Sequence, residues 1–528
     1  MSDATYDAVI IGGGHNGLCA AAYLARAGQK VGVFESRHEE AGAVHTSEAT
    51  VPGFWHNLHA QYMEFIDYMP FYHDFDLPSY GARMIKPDAQ VGIAFADGRP
   101  PIVICRPELE DRTYASIARY SKSDADRFND IRRKVMASDQ QIASLIYTPR
   151  DLDSTKEALG KLWLDLGFTI QDMNKTVKEL IDDCFETTEM RAVLYRQALE
   201  WGVDPHEGNG VSFVICVIWL CGMHYMVVGG THMLGHAMAG ACLNEGVDLR
   251  YNHRVRNILT DGSRATGIEL QDGRRVDARI VISNLDIRTT FEGMLGPDRI
   301  SPSMRARLDN WRFGPEHCLG TPSFALHAPP EYKSAQHDPA INRCFYTIVG
   351  YENAEQVSEY ILQAFGGRPP ELPAAGTWVN TLWDPTQAPP GKHAMNGWFF
   401  FPRASDLTPA EWEEVKNTYN DRFLALWEKY APNMTRRNVI ADSLYTPYEI
   451  EIEMGMPEGD FGHGRPIDGV LDLEALAGGR AAYSETDIEG LYLCAGNGVS
   501  AGPGYAAFKT IAEDYDLPRI WQRGDRIY

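Results

Sequence analysis

Four apolar residues, Ala8-Val9-Ile10-Ile11, run directly into Gly12-Gly13-Gly14-His15-Asn16-Gly17. An apolar run of this length is the kind buried on both faces of a parallel sheet. The glycines after it satisfy G-x-G-x-x-G at Gly12, Gly14 and Gly17. Leu18 to Ala27 then reads as an alanine-rich helix stopped by Gly28, and a second strand, Lys30 to Phe34, ends on Glu35. Each residue type has a physical reason. Gly12 makes the tight turn, Gly14 lets backbone approach a diphosphate, and Gly17 allows close helix–strand contact. The helix N-terminus offers unpaired N–H groups to the phosphates, and His15 and Asn16 in the turn before it are expected to contact the cofactor. Glu35, with Ser36 beside it, accepts the ribose hydroxyls and repels the 2′-phosphate of NADP. A strand–turn–helix–strand unit of this order specifies a dinucleotide.

The 528 residues exceed one ordinary core, so two or three domains are expected. The formal net charge of -23 repels phosphate backbones and acidic headgroups, which argues against nucleic acid as a partner. Peripheral apolar contact with a membrane stays compatible with that charge. The nine cysteines form no C-x-x-C pair and no zinc spacing, so reduced buried thiols and no metal site are expected. Met1 to Asp7 carries no basic region and leads straight into a strand, which points to the cytoplasm. No pattern in the sequence specifies an oligomeric state.

The residues after Glu35 separate FAD from NAD. The run Ala41-Gly42-Ala43-Val44-His45-Thr46, with Pro52-Gly53-Phe54 after it, resembles the flavoprotein superfamily of phytoene desaturases, carotenoid isomerases and amine oxidases. The nearest resemblance is to its phytoene-dehydrogenase-like branch, which includes pyridine nucleotide-disulphide oxidoreductase domain-containing protein 2. The family pattern has glycine where this chain has Ala41, so an altered turn is expected there. Val228-Gly229-Gly230-Thr231, the stretch from Gly246 to Asn284, and Gly490 to Ala507 are similar to further family blocks. The resemblance implies an α/β fold. Its Rossmann-type FAD-binding domain is discontinuous (1–80, 206–290 and 480–528), with an inserted α+β substrate-binding domain (81–110 and 291–479) and a helical lid (111–205). It also implies FAD contacts at Gly42, Ala43, Val255, Gly496, Asn497, Gly504 and Tyr505. A closing helix at Pro503-Gly504 would aim its N-terminus at the flavin, with Gly504 as the point of closest approach.

Between these blocks the periodicity is helical. Phe128, Ile131, Val135, Ile142 and Leu145 share one face of an expected helix that Pro149 ends. Thr408-Pro409-Ala410-Glu411 is a capping box opening another. Val211 to Val228 lies in a stretch without Asp, Glu, Lys or Arg, from Gly208 to Asn244. It is long enough to span a membrane, but a single span would split the FAD domain across it. The segment is therefore either core or the wall of an apolar cavity containing Trp219, Met223 and Tyr225. Acid–base candidates are His463, His224, Tyr225 and His59, with His56 close by.

The expected activity is FAD-dependent dehydrogenation or desaturation of an apolar small molecule, of polyene or isoprenoid type, with oxygen or a quinone as acceptor. The sequence shows no second G-x-G-x-x-G after a strand, so no NAD(P)H site is suggested. Three readings stand beside this one: a redox-neutral flavin-dependent double-bond isomerase, an amine oxidase-type oxidase, and a non-catalytic flavoprotein that binds a partner.

Overall fold

A computed structural model describes residues 4–148, 152–207, 210–466, 486–496 and 500–521. Strand β1 (Ala4–Ile11), helix α1 (His15–Arg26) and strand β2 (Val31–Phe34) come one after another as the motif requires. The helix begins at His15, three residues before the periodicity suggested, because the glycine loop itself makes its first turn. β1 pairs in parallel with β2, and β2 with β3 (Asp248–Arg250). A meander of β4 (Val255–Asp261), β5 (Arg264–Leu270) and β6 (Arg275–Ser283) brings β6 to the other side of β1, again in parallel. β7 (Leu491–Leu493) pairs with the end of β6 and completes seven strands. Ala8, Val9 and Ile10 have no exposed surface, as burial on both faces of the sheet demands.

A second sheet, also of seven strands, has the order 439–445, 319–326, 393–400, 375–378, 346–349, 89–93 and 102–105. Its apolar face packs on the helix Pro409–Tyr430 through Phe399, Phe401, Phe423 and Trp427. That helix starts as its sequence predicts: Thr408 Oγ1 accepts from the Glu411 N–H (3.3 Å), and Glu411 Oε2 accepts from the Thr408 N–H (2.8 Å). In the helical stretch the expected single helix from Phe128 to Leu145 is two, Lys122–Ala137 and Asp139–Tyr147. The break falls at Ser138, which leaves helical geometry (φ -107°, ψ 14°), while the apolar faces on both sides stay buried. Pro149 lies outside the described residues.

Two close approaches lock α1 in place, and a third seats the turn at Ala41. A Cβ on Gly17 would lie 2.5 Å from the Gly12 carbonyl oxygen, so helix and turn touch backbone to backbone. Helix α3 (Gly502–Asp514) meets α1 equally closely: a Cβ on Gly504 would lie 2.0 Å from the Asn16 carbonyl oxygen. The Ala41 turn takes a left-handed conformation (φ 68°) that a side chain adopts at a cost. Its methyl fits because helix α2 (His232–Asn244) presents Gly235, whose own Cβ would stand 2.5 Å away. Every cysteine whose side chain is described is a free thiol.

The uncharged segment folds as a π-helix, Phe213–Trp219, with a turn after it. Trp219 is 1% exposed and packs on Phe65 and Tyr68, with ring centroids 5.9 and 5.6 Å apart. Among the described residues no helix is long and apolar enough to cross a membrane. Trp219→Ala is expected to lower stability by about 3–5 kcal/mol while leaving ligand affinity unchanged in the protein that remains folded. Denaturant unfolding together with a ligand titration checks this, and unfolding indistinguishable from wild type would refute it.

Candidate active site

One cavity of about 2500 Å³, counted out to its open mouth, runs between the two sheets. One end is the glycine turn. Gly12, Gly14, His15, Asn16, Glu35, Ser36, Gly42, Ala43, Val255 and Gly496, the residues expected at the cofactor, all lie in the wall. Glu35 is 8% exposed and already oriented: its Oε2 accepts from the Gly13 N–H (2.8 Å) and its Oε1 from the Arg37 N–H (2.7 Å). The Ala41 N–H donates to the Gly13 carbonyl (2.7 Å), which ties the second turn to the first.

These residues fit a dinucleotide. The first turn of α1 contains no acid and no capping side chain, so the positive end of the helix is not neutralised from within its own turn. A Cβ on Gly14 would lie 2.6 Å from Asn284 Nδ2, so a side chain there would displace the Asn284 amide. Asn284, at the end of β6, donates from Nδ2 to the Gly12 carbonyl (3.4 Å) and belongs to the wall. In the sequence Asn284 is only the residue at a strand end, with no role assigned; its position beside the turn comes from the parallel pairing of β1 with β6.

The other end is aromatic, with Tyr62, Trp201, Trp398 and Phe461 in the wall. Tyr62 and Trp398 lie 5.9 Å apart, and Trp378 backs both at 5.7 and 5.1 Å. Glu200 borders this end within a fully buried ion pair. Its Oε2 accepts from Arg196 Nη1 (2.5 Å) and from the Tyr346 hydroxyl, and Arg196 Nη2 donates to the Trp398 carbonyl (3.3 Å). The pair leaves no net charge beside the apolar wall. His317, which no sequence motif singles out, is wedged between glycines: a Cβ on Gly202 would meet its Nε2 at 1.9 Å, and one on Gly462 its Nδ1 at 2.5 Å. Burial pushes His317 down to about 4. No spacing pattern joins residues 202, 317 and 462; only the packing of three separate loops does.

The acid–base candidates divide. His463 and His59 are in the wall; His224 and Tyr225 are not. His224 is fully buried behind Tyr62, ring to ring at 4.3 Å, and burial pushes it down to about 3. Tyr225 points its hydroxyl to Asp67 (2.6 Å), on the far side of its backbone pairing with Met63. His56 bonds Asn396 Oδ1 (3.0 Å) inside the core. His463 has left-handed backbone (φ 64°) pinned at both ends: its N–H donates to the Asp460 carbonyl (3.4 Å) and its carbonyl accepts from Trp311 Nε1 (3.2 Å). Burial pushes its imidazole down, opposed by the Asp286 carboxylate, itself in the wall.

Three residues expected at the cofactor lie outside the wall. Gly17 and Tyr505 lie outside the wall; Gly17 packs on the turn, and Tyr505 against Tyr23, 5.1 Å between centroids. Gly504 is likewise outside it, and the backbone it approaches is that of Asn16; Pro503 takes the place in the wall. Asn497 falls outside the described residues. From the uncharged segment only Leu220 reaches the wall, while Trp219, Met223 and Tyr225 do not.

A glycine-turn parallel sheet joined to a second sheet across a long cavity defines a dinucleotide-dependent oxidoreductase. Residues 10–75 match the NAD(P)-binding Rossmann-like domain family. A limonene dehydrogenase subunit of Castellaniella defragrans is 31% identical over 543 residues, covering 99% of this chain and 97% of that protein. Pyridine nucleotide-disulfide oxidoreductase domain-containing protein 2 of Rattus norvegicus is 28% identical, covering 94% of this chain and 91% of that protein. The solved structure of an A394C variant of putrescine oxidase shares the fold, with a TM-score of 0.60 at 14% identity over 97% of this chain and 98% of that one. The chain therefore belongs to the FAD oxidoreductase superfamily of phytoene desaturase-like enzymes.

This geometry makes two outcomes testable. Gly504→Ala pushes a methyl into the Asn16 carbonyl and should cost about 1–3 kcal/mol, with lowered dinucleotide content because the N-terminus of α1 must shift. Equal melting and equal cofactor content would show the contact to be slack. Asp460 is fully buried, accepts from the Gly462 N–H (2.7 Å) and the Gly314 N–H (3.0 Å), and is pushed up by burial to about 7. An acid whose folded-state value lies above its unfolded one makes the fold less stable as pH rises between the two. The melting temperature of wild type minus that of Asp460→Asn should therefore fall between about pH 4 and about pH 7. A flat or rising difference would contradict the assignment.

Proposed function

We propose that the protein is an FAD-dependent dehydrogenase or desaturase of an apolar, terpenoid-like small molecule. The observation that carries this reading is the continuity of one cavity, with the glycine turn and Glu35 at one end and Tyr62, Trp201 and Trp398 at the other. The N-terminus of α1 with Gly12 and Gly14 would hold the diphosphate, Glu35 the ribose, and Val255 the adenine side. When bound, FAD supplies a two-electron acceptor for hydride leaving a substrate carbon. The chain's own part is to bind, orient and keep water out. Its aromatic wall removes an apolar substrate from solvent, and the neutralised Arg196–Glu200 pair lets it do so without stranding a charge. The relative named for dehydrogenating limonene, a hydrocarbon, supports a substrate of this polarity. Oxygen or a quinone serves as final acceptor in this reading.

Purified protein is expected to be yellow, with flavin that acid releases and that co-migrates with FAD rather than FMN. Under anaerobic conditions NADH and NADPH should bleach the flavin band slowly or not at all. A folded protein without flavin would sink the reading, and rapid bleaching by either nucleotide would turn it into a reductase.

A further inference from the structure

The His59 ring is a polar group of the cavity wall with no hydrogen-bond partner among the described residues. His59 is 7% exposed and lines the cavity. Its backbone is committed: the carbonyl accepts from Trp398 Nε1 (3.0 Å) and from Gln61 Nε2 (3.3 Å). The ring is held edge-to-face by Tyr445, with centroids 5.5 Å apart, and lies 6.1 Å from the ring of His45. Neither ring nitrogen has a hydrogen-bond partner among the described residues, yet neither is sealed from the cavity. A polar group left unmatched in an apolar wall costs stability unless a ligand or water meets it.

The groups facing the ring decide what kind of ligand that is. Burial pushes the imidazole down to about 3, with His45 and Arg37 adding to the effect, so it is neutral at working pH. A neutral imidazole neither balances an ammonium nor offers a counter-charge to a carboxylate, and burying either ion unpaired is expensive. It does match a neutral oxygen group, as donor or acceptor according to its tautomer.

We propose that His59 is a specificity-determining residue, and that the substrate is a mostly apolar molecule carrying one neutral hydroxyl or carbonyl group, which hydrogen-bonds to the imidazole. This deepens the apolar-substrate reading above and rests on it. The assignment gives His59 a binding role and no proton transfer.

The test uses three ligands of one skeleton, methylcyclohexane, cyclohexylmethanol and cyclohexylmethylamine, titrated calorimetrically into flavin-loaded protein. Wild type should bind the alcohol about two- to tenfold more tightly than the hydrocarbon, the yield of one net hydrogen bond, and the protonated amine most weakly. His59→Phe, similar in volume and able to keep the Tyr445 contact, should erase the alcohol's advantage while leaving the hydrocarbon within about twofold of wild type. His59→Gln, which keeps a donor and an acceptor, should retain it, so the comparison survives if the Phe variant folds poorly. Equal binding of alcohol and hydrocarbon by wild type, tightest binding of the amine, or an alcohol preference that survives in His59→Phe would each overturn the proposal while leaving an apolar cavity. Failure of all three ligands to bind would overturn the apolar reading and the proposal together.

Discussion

Everything at the dinucleotide end depends on backbone meeting backbone around α1. Gly17 lies against the Gly12 carbonyl and Gly504 against the Asn16 carbonyl, with no room for a methyl at either contact. These approaches hold the helix so that its first N–H groups open into the cavity between the sheets. Glu35 then closes the geometry from the next strand by accepting the Gly13 N–H. Side chains with rotamer freedom contribute little here. Fixed dipoles and hydrogen-bonded turns do most of the positioning, which suits a site for a large, doubly charged ligand.

Local signals are what the sequence made legible. The strand–turn–helix unit and the capping box at Thr408 each rest on neighbours within a few residues, and each appears in the fold. The single helix expected from Phe128 to Leu145 failed because helical periodicity passes through a one-residue break at Ser138 without losing its apolar face. The wall of the cavity was half legible. Gly12, Glu35, Gly42 and Val255 belong to one motif or resemblance, whereas His317, Trp201 and Asn284 arrive from separate elements brought together only by packing. His224 and Tyr225 interrupt an apolar run and so looked functional; in the fold one is buried behind Tyr62 and the other turns toward Asp67.

Two left-handed residues stand in turns that contribute to the wall or adjoin it. Ala41 and His463 both take left-handed backbone, at a cost of order 1–3 kcal/mol for each such residue. Both are over-determined by neighbours: Ala41 by the Gly13 carbonyl and by Gly235, His463 by Asp460 and Trp311. The two turns thus keep fixed shapes on opposite sides of the same cavity, one beside the glycine turn and one beside the second sheet.

The partnership of Ala41 and Gly235 also has a meaning for relatives of this chain. The space between that turn and helix α2 holds a single methyl group, supplied here from the turn. A relative with glycine at the turn has that volume to spare and can carry alanine on the helix, whereas one with alanine at both places must move the helix. Two positions far apart in sequence therefore behave as one site with two spellings, and a change at either is read correctly only beside the other.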